Sequence, residues 1–276
     1  MKIWLITGCS TGFGRALAQV AAQKGDQVAG TVRQMRQVAE FEALVPGNLY
    51  AVLMDVTDAQ QIKKGVAQVI DRYGRIDVLV NNAGYGSMGP IEEVSGAELR
   101  RQFEVNVFGA VDLVREVLPH MRAQGAGHII NVTSIAGLRA NAGLGAYNGS
   151  KFALEGIGEA LAREVGPLGI KVTNVEPGPF RTEWAGRSAT YTDISIEDYQ
   201  VSAGKTLEYL RKVDGNQQGD PFKAAEAMYA LTELENPPIH LPLGAIAYRR
   251  LREKIQELTQ EVDQYEYLGR PTDYEG

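Results

Sequence analysis

The chain has 276 residues, of which 44% are apolar, with a single cysteine and a formal net charge of −6. This supports a core held without disulfides, fits a reducing, cytoplasmic setting for the lone Cys9, and argues against nucleic acid or an anionic membrane as a general partner. No run nears the roughly 18 apolar residues of a membrane span, the short apolar run after Lys2 does not read as a secretory signal, and His120, His128 and His240 show no ligand spacing for a metal.

Residues 3–7 read as a buried strand. Thr7-Gly8-Cys9-Ser10-Thr11-Gly12-Phe13-Gly14 follows, then Ala16, Leu17, Val20 and Ala21 at helical spacing, with Gly25 as the stop. Strand, glycine-rich turn and helix in that order bring backbone N–H groups and a positive helix end to a phosphate. A close turn without a ligand is the plainer alternative. Gln27–Val32 reads as the second strand. A dinucleotide fold usually places an acid near its end to hold the ribose 2′-hydroxyl of NAD. No acid occurs from Gln27 to Ala39; Arg33 stands at that end instead, with Arg36 behind it. An arginine there suits a 2′-phosphate, so NADP(H) is expected over NAD(H), with NAD(H) left open.

Asn48–Met54 is a third strand, ending at Asp55-Val56, and a helix follows from Asp58 to Tyr73. Ile76–Val80 is a near-continuous apolar strand ending in Asn81-Asn82-Ala83-Gly84. Helical patterning runs from Ala97 to about Arg122, with Asn106 inside it, an unfavourable choice on propensity. His128–Val132 is the next strand, closed by Thr133-Ser134. A helix to about Val165 carries Tyr147 and Lys151, four residues apart and therefore on one face. An unperturbed tyrosine titrates near about 10, and a fixed ammonium beside it favours the phenolate. An exposed helix pair with no function is the competing reading for these two alone. Ile170–Val175 is a further strand, followed by Glu176-Pro177-Gly178-Pro179-Phe180-Arg181-Thr182; Glu176 reads as a solvated or hydrogen-bonded strand end.

From Glu183 to Gly219 the pattern loosens. Such a length inside an α/β chain suits a substrate-binding lid with a helix near Glu197–Lys212. Trp184 and Tyr191 read equally as pocket wall or as packing of the insertion. Asp220-Pro221 opens a helix to Leu234. Ile239–Leu241 is a last short strand, and a charged helix at Ala245–Val262 precedes a tail to Gly276. The alternation of strand and helix calls for one α/β domain: a doubly wound, Rossmann-type parallel sheet with an insertion at 183–219 and a C-terminal helix and tail at 245–276.

Thr7-Gly8-x-x-x-Gly12-x-Gly14, Asp55, Asn81-Asn82-Ala83-Gly84, Asn106, Ser134, Tyr147-x-x-x-Lys151 and Pro177-Gly178-x-x-x-Thr182 stand in one order along the chain. Together they resemble the classical short-chain dehydrogenase/reductase family of nicotinamide-dependent oxidoreductases. The resemblance implies a seven-stranded sheet of order 3-2-1-4-5-6-7. It assigns the cofactor to the turn of Gly8, Ser10, Thr11, Gly12, Phe13 and Gly14, to Arg33, to Asp55 and Val56 at the adenine, and to Asn82, Ala83 and Gly84. Pro177, Gly178, Phe180 and Thr182 come at the nicotinamide end, with Tyr147 and Lys151 touching both cofactor and substrate. It further implies Ser134 orienting the substrate oxygen, Tyr147 as proton donor and acceptor, Lys151 on the nicotinamide ribose, and Asn106 interrupting its helix to hold a water in a proton relay. A small carbonyl or alcohol substrate and a homodimer or homotetramer go with the family. A non-catalytic NADP-binding sensor on the same fold is the alternative from another class, and the intact Ser-Tyr-Lys set argues against it. A sugar-nucleotide epimerase is disfavoured by the glycine spacing and the length.

Overall fold

The computed structural model describes residues 1–274; the last two residues of the expected tail, Glu275 and Gly276, lie outside the described residues. The elements in chain order begin with β1 (Ile3–Ile6), α1 (Gly12–Gln23), β2 (Gln27–Val32), α2 (Arg36–Glu42), β3 (Leu49–Leu53), α3 (Ala59–Tyr73), β4 (Val78–Asn81) and β5 (Gly86–Met88). They continue with α4 (Gly96–Phe103), α5 (Gly109–Gln124), β6 (Gly127–Val132), α6 (Gly145–Val165), β7 (Ile170–Pro177), β8 (Ala189–Tyr191), α7 (Lys205–Val213), α8 (Pro221–Leu231), β9 (His240–Leu243) and α9 (Ala245–Gly269).

Seven strands form one parallel sheet in the order β3-β2-β1-β4-β6-β7-β9, as the family resemblance implies. The reason is legible in β1. Trp4 and Ile6 point to the core shared with α1 and α8, whereas Ile3 and Leu5 point to the opposite core shared with α3 and α5. A strand apolar on both faces needs helices on both faces, which right-handed crossovers deliver. The strand order reverses between β1 and β4, and in such sheets the crevice outside the carboxyl ends at the reversal receives ligands.

Local chemistry fixes the helix ends. Asp58 caps α3, accepting from the N–H groups of Gln60 at 2.9 Å and Gln61 at 3.1 Å, and Gly74 ends it at φ 76°. Asp220 caps α8 by accepting from Phe222 N at 2.8 Å, with Pro221 in the first turn.

Against the expectation for single elements, the structure adds α2, where no helix was expected, and revises others. The helix patterned from Ala97 to Arg122 is broken by a π-turn at Glu104–Phe108 that contains Asn106, the interruption the family resemblance implies, since an inserted residue lets an inward asparagine bond sideways rather than along the helix. The helix expected near Glu197–Lys212 is a 3₁₀ turn, a π-turn and the shorter α7. The β5–β8 pair is a separate two-stranded sheet that ties the insertion to the loop after β4; three residues per strand are too few for a period to be read. Finally, α9 continues to Gly269, seven residues past the expected end.

Candidate active site

A cavity of about 1240 Å³ follows the carboxyl edge of the sheet from the ends of β3 and β2 to that of β7 and on to the start of α9. This is larger than the roughly 300–1,000 Å³ of common small-molecule clefts. Of the residues the resemblance assigns to cofactor or catalysis, all but Gly14 and Asn106 line it. Those two stand directly behind its wall and shape it.

The first wall is backbone. Gly8 and Gly12 adopt φ of 70° and 61°, open to glycine with little strain. A Cβ on Gly14 would lie 2.5 Å from Asn82 Nδ2 and 2.6 Å from Gly8 O, so the turn closes only without a side chain there. Asn82 Nδ2 donates to Thr7 O at 2.7 Å and Gly8 O at 3.2 Å, while Thr7 Oγ1 accepts from the N–H groups of Asn82 and Ala83, both at 2.9 Å. Asn82 therefore clamps the turn to the end of β4. Thr11, extended at the start of α1, makes no side-chain cap. The first N–H groups of a 12-residue helix are thus left to the cavity beside Ser10, Gly12 and Phe13. An uncapped helix start under a side-chain-free turn fits a pyrophosphate. Arg33 is exposed at the end of β2 and lines the rim, with Arg36 donating to Gln34 Oε1 at 2.8 Å nearby. Asp55 and Val56 follow β3, and the Asp55 carboxylate accepts from Thr57 N at 2.9 Å and Thr57 Oγ1 at 2.8 Å.

At the middle of the cavity, Ser134 follows β6 and accepts from Ala136 N at 3.0 Å. Tyr147 and Lys151 rise one turn apart from α6, all three side chains nearly buried. Lys151 Nζ donates to Val132 O at 2.8 Å and lies 5.9 Å from the centre of the Tyr147 ring. Burial pushes Tyr147 up to about 12, with the Ser134 hydroxyl working against it. Burial also pushes Lys151 down to about 8, with Glu155 working against it. In the chain by itself, desolvation of the phenolate dominates Tyr147, opposite in direction to the easing expected from Lys151. Asn106 sits behind. Its Oδ1 accepts from Tyr85 N, and its Nδ2 donates to Tyr85 O and Ser150 Oγ, each at 3.1 Å. A Cβ on Gly84 would stand 3.2 Å from Asn106 Oδ1 and 3.7 Å from Lys151 Nζ, so Gly84 permits this close approach.

The far wall was only partly visible in the sequence. Pro177, Gly178, Phe180 and Thr182 descend from β7; Phe180 meets Phe13 edge-on at 5.1 Å, and Thr182 faces Gly12. Trp184 stacks obliquely on Tyr147 with ring centres 4.8 Å apart, which makes it pocket wall, and Tyr191 packs with it in a small apolar cluster around Met88 and Leu207. Arg139, Arg187, Lys205, Arg249 and Arg250 also line this end. They come from four separate segments, and no spacing announced them.

A buried polar layer supports the floor. Asn81, Asn131 and Asn174 occupy paired positions on β4, β6 and β7 and bond in series at 2.9 and 3.0 Å. Asn174 then donates to Glu155 Oε2 at 2.7 Å. Of the two readings the sequence allowed for Glu176, a solvated or a hydrogen-bonded strand end, the structure shows the second: it is fully buried and shares a hydrogen bond of 2.7 Å with His240 Nδ1. Burial pushes Glu155 up to about 7 and Glu176 up to about 8. Glu155, Glu176 and His240 converge within 4.8 Å, so the histidines are not all scattered as the sequence suggested; β9 beside β7 creates this meeting. Among the described residues no helix is long and apolar enough to cross a membrane.

The profile of the short chain dehydrogenase family matches residues 2–191. A 3-ketodihydrosphingosine reductase of Bacteroides thetaiotaomicron is 37% identical over 246 residues, 89% of this chain and 88% of that protein. The solved structure of a short-chain dehydrogenase from Streptomyces avermitilis superposes with a TM-score of 0.92 at 41% identity, over 99% of this chain and 100% of that one. A serine dehydrogenase solved with NADP+ superposes with a TM-score of 0.75 at 28% identity, over 87% of this chain and 94% of that one.

Proposed function

This chain belongs to the short chain dehydrogenase family, and from that premise we propose an NADP(H)-dependent oxidoreductase that interconverts a carbonyl and a secondary alcohol. The observation that carries the reading is the meeting of Ser134, Tyr147 and Lys151 on the floor of a cavity that opens at an uncapped helix start. When bound, the nicotinamide supplies or accepts the hydride and, oxidised, adds positive charge beside Tyr147.

In reduction, Ser134 donates to the substrate oxygen and orients it, and Tyr147 delivers its proton to that oxygen as negative charge develops. A phenol held near 12 keeps its proton at neutral pH, which suits the acid role. In oxidation, Tyr147 must act as base, and Lys151 at the ribose hydroxyls lowers the cost of the phenolate. Asn106 fixes the Tyr85 backbone behind Lys151 and belongs to the path by which the proton is replaced. Gly8, Gly12 and Gly14 give the pyrophosphate its approach, and Arg33 takes the 2′-phosphate. Asp55 and Val56 border the adenine. Thr182 holds the far end, and the segment 183–219 closes over a small-molecule substrate. A cytoplasmic homodimer or homotetramer completes the reading.

The test is absorbance-followed oxidation of NADPH and NADH against aliphatic, aryl, steroid and β-keto carbonyls. On any substrate found, Tyr147→Phe is expected to lose about 10²–10⁴-fold in turnover, with NADPH affinity, read by fluorescence titration, kept within about twofold. Near-normal turnover in that variant would sink the mechanism.

A further inference from the structure

The helix α9 has 25 residues, about 37 Å at 1.5 Å per residue. Its first turns are held by the rest of the chain. Ala247 is buried, Arg250 reaches Asn141, and Arg139 pairs with Glu253 and with Glu257. From Ile255 onward every residue of the helix is exposed. Yet Tyr248, Leu251, Ile255, Leu258, Val262 and Tyr265 fall at alternating steps of three and four, a heptad stripe, and the last four are 57, 49, 59 and 51% exposed. A contiguous apolar stripe in water marks an interaction surface, and a helix left without tertiary support is marginal on propensity alone.

We propose that this stripe pairs with the same stripe on a second copy of the chain, the two helices antiparallel. Charge chooses the occupant and its direction. Residues 248–257 carry Arg249, Arg250, Arg252 and Lys254, and the two carboxylates among them, Glu253 and Glu257, already pair with Arg139. Residues 258–267 carry Glu261, Asp263 and Glu266 and no cation, and of these acids Glu266 pairs with Arg270 one turn on, which leaves Glu261 and Asp263. Parallel helices would set like halves together, whereas antiparallel helices set each basic half on an acidic one. The register follows from the stripe: Tyr248 layers with the partner's Tyr265, Leu251 with the partner's Val262, and Ile255 with the partner's Leu258. Lys254 and the partner's Glu261 then flank the seam face to face, twice by symmetry. Because Ile246, Arg249 and Arg250 line the cavity, the partner's Leu268 comes to lie beside the wall of the site. A lipid surface is a poorer occupant, since acids flank the distal half.

The experiment is the mass of the full chain by light scattering and sedimentation at about 10–50 μM, with circular dichroism as the folding control. Leu258→Glu is expected to halve the assembly mass with helix content kept, the position being solvent-facing in the single chain. Lys254→Glu is expected to weaken association about tenfold, and Lys254→Glu with Glu261→Lys to restore it. A wild-type monomer, whether or not it floats with anionic vesicles, overturns the proposal, as does an unchanged mass for Leu258→Glu. A double variant no tighter than Lys254→Glu overturns the antiparallel register.

Discussion

The two walls of the cavity are built by opposite means. The wall from β1 to β4 is backbone drawn tight: glycines at positive φ, a turn with no room for a Cβ, and Asn82 clamping Thr7 and Gly8. The wall from Thr182 through α7 and the start of α9 is side chain, Trp184, Leu210, Lys205 and Arg250 among them, carried on turns and short helices. They touch at Phe13 and Phe180. The lesson is a division of labour. On the function proposed above, the first wall would serve one ligand shape and tolerate almost no change, while the second could be rebuilt for a new substrate without disturbing the first.

Among changes that set one wall against the other, the largest expected effect comes from adding one methyl group to the tight wall. Gly14→Ala puts a Cβ against Asn82 Nδ2 and Gly8 O, and overpacking of this kind costs about 1–3 kcal/mol. The expected result is a thermal midpoint lowered by roughly 2–10 °C and a cofactor affinity lowered at least tenfold, both from a turn forced open. Gly156→Ala, whose new Cβ would meet nothing within 4 Å, is the control and should cost nothing. If Gly14→Ala melts and binds like the parent, the first wall is as adaptable as the second and the contrast fails.

That contrast also explains what the sequence disclosed. Gly8, Gly12 and Gly14 are demanded by backbone geometry, so their spacing is a record of the turn they build. Tyr147 and Lys151 are tied by one helix repeat. Trp4 and Ile6 against Ile3 and Leu5 announce a strand buried on both faces. Arg139 and Arg250 meet at one end of the cavity from segments 111 residues apart, and Glu176 meets His240 across 64; no periodicity encodes such meetings, which exist only once β9 lies beside β7. The end of α9 was misjudged for a related reason. The stripe through Val262 and Tyr265 carries the helix on into the tyrosine- and acid-rich stretch expected as tail.

A smaller effect separates the rim of the first wall from its backbone. Arg33 is exposed and shapes nothing, so Arg33→Ala should leave the thermal midpoint unchanged. Charge-assisted hydrogen bonds are worth about 1.5–3 kcal/mol when desolvated, and solvent screening reduces that at an open rim. NADPH should therefore weaken about tenfold, and NADH by less than about twofold, in parallel titrations. Equal weakening of both would remove Arg33 from the 2′-phosphate and leave Arg36 as the next cation along the rim.

The smallest effect lies on the second wall and is the sharpest test of separability. Trp184 covers the Tyr147 ring, and burial is what holds Tyr147 near 12. Trp184→Ala admits water to the phenol, so its pKa should fall toward the ordinary value of about 10. In the oxidation direction, where Tyr147 must lose its proton, the rise of rate with pH should shift to lower pH. KM for apolar substrates should increase by up to about tenfold, as an aromatic contact surface is lost. Cofactor affinity should not change, because Trp184 faces Tyr147 and Gly86 rather than the glycine turn. A fall in cofactor affinity matching the rise in KM would mean that the Phe13–Phe180 contact couples the walls, and that substrate specificity cannot be altered on one without cost to the other.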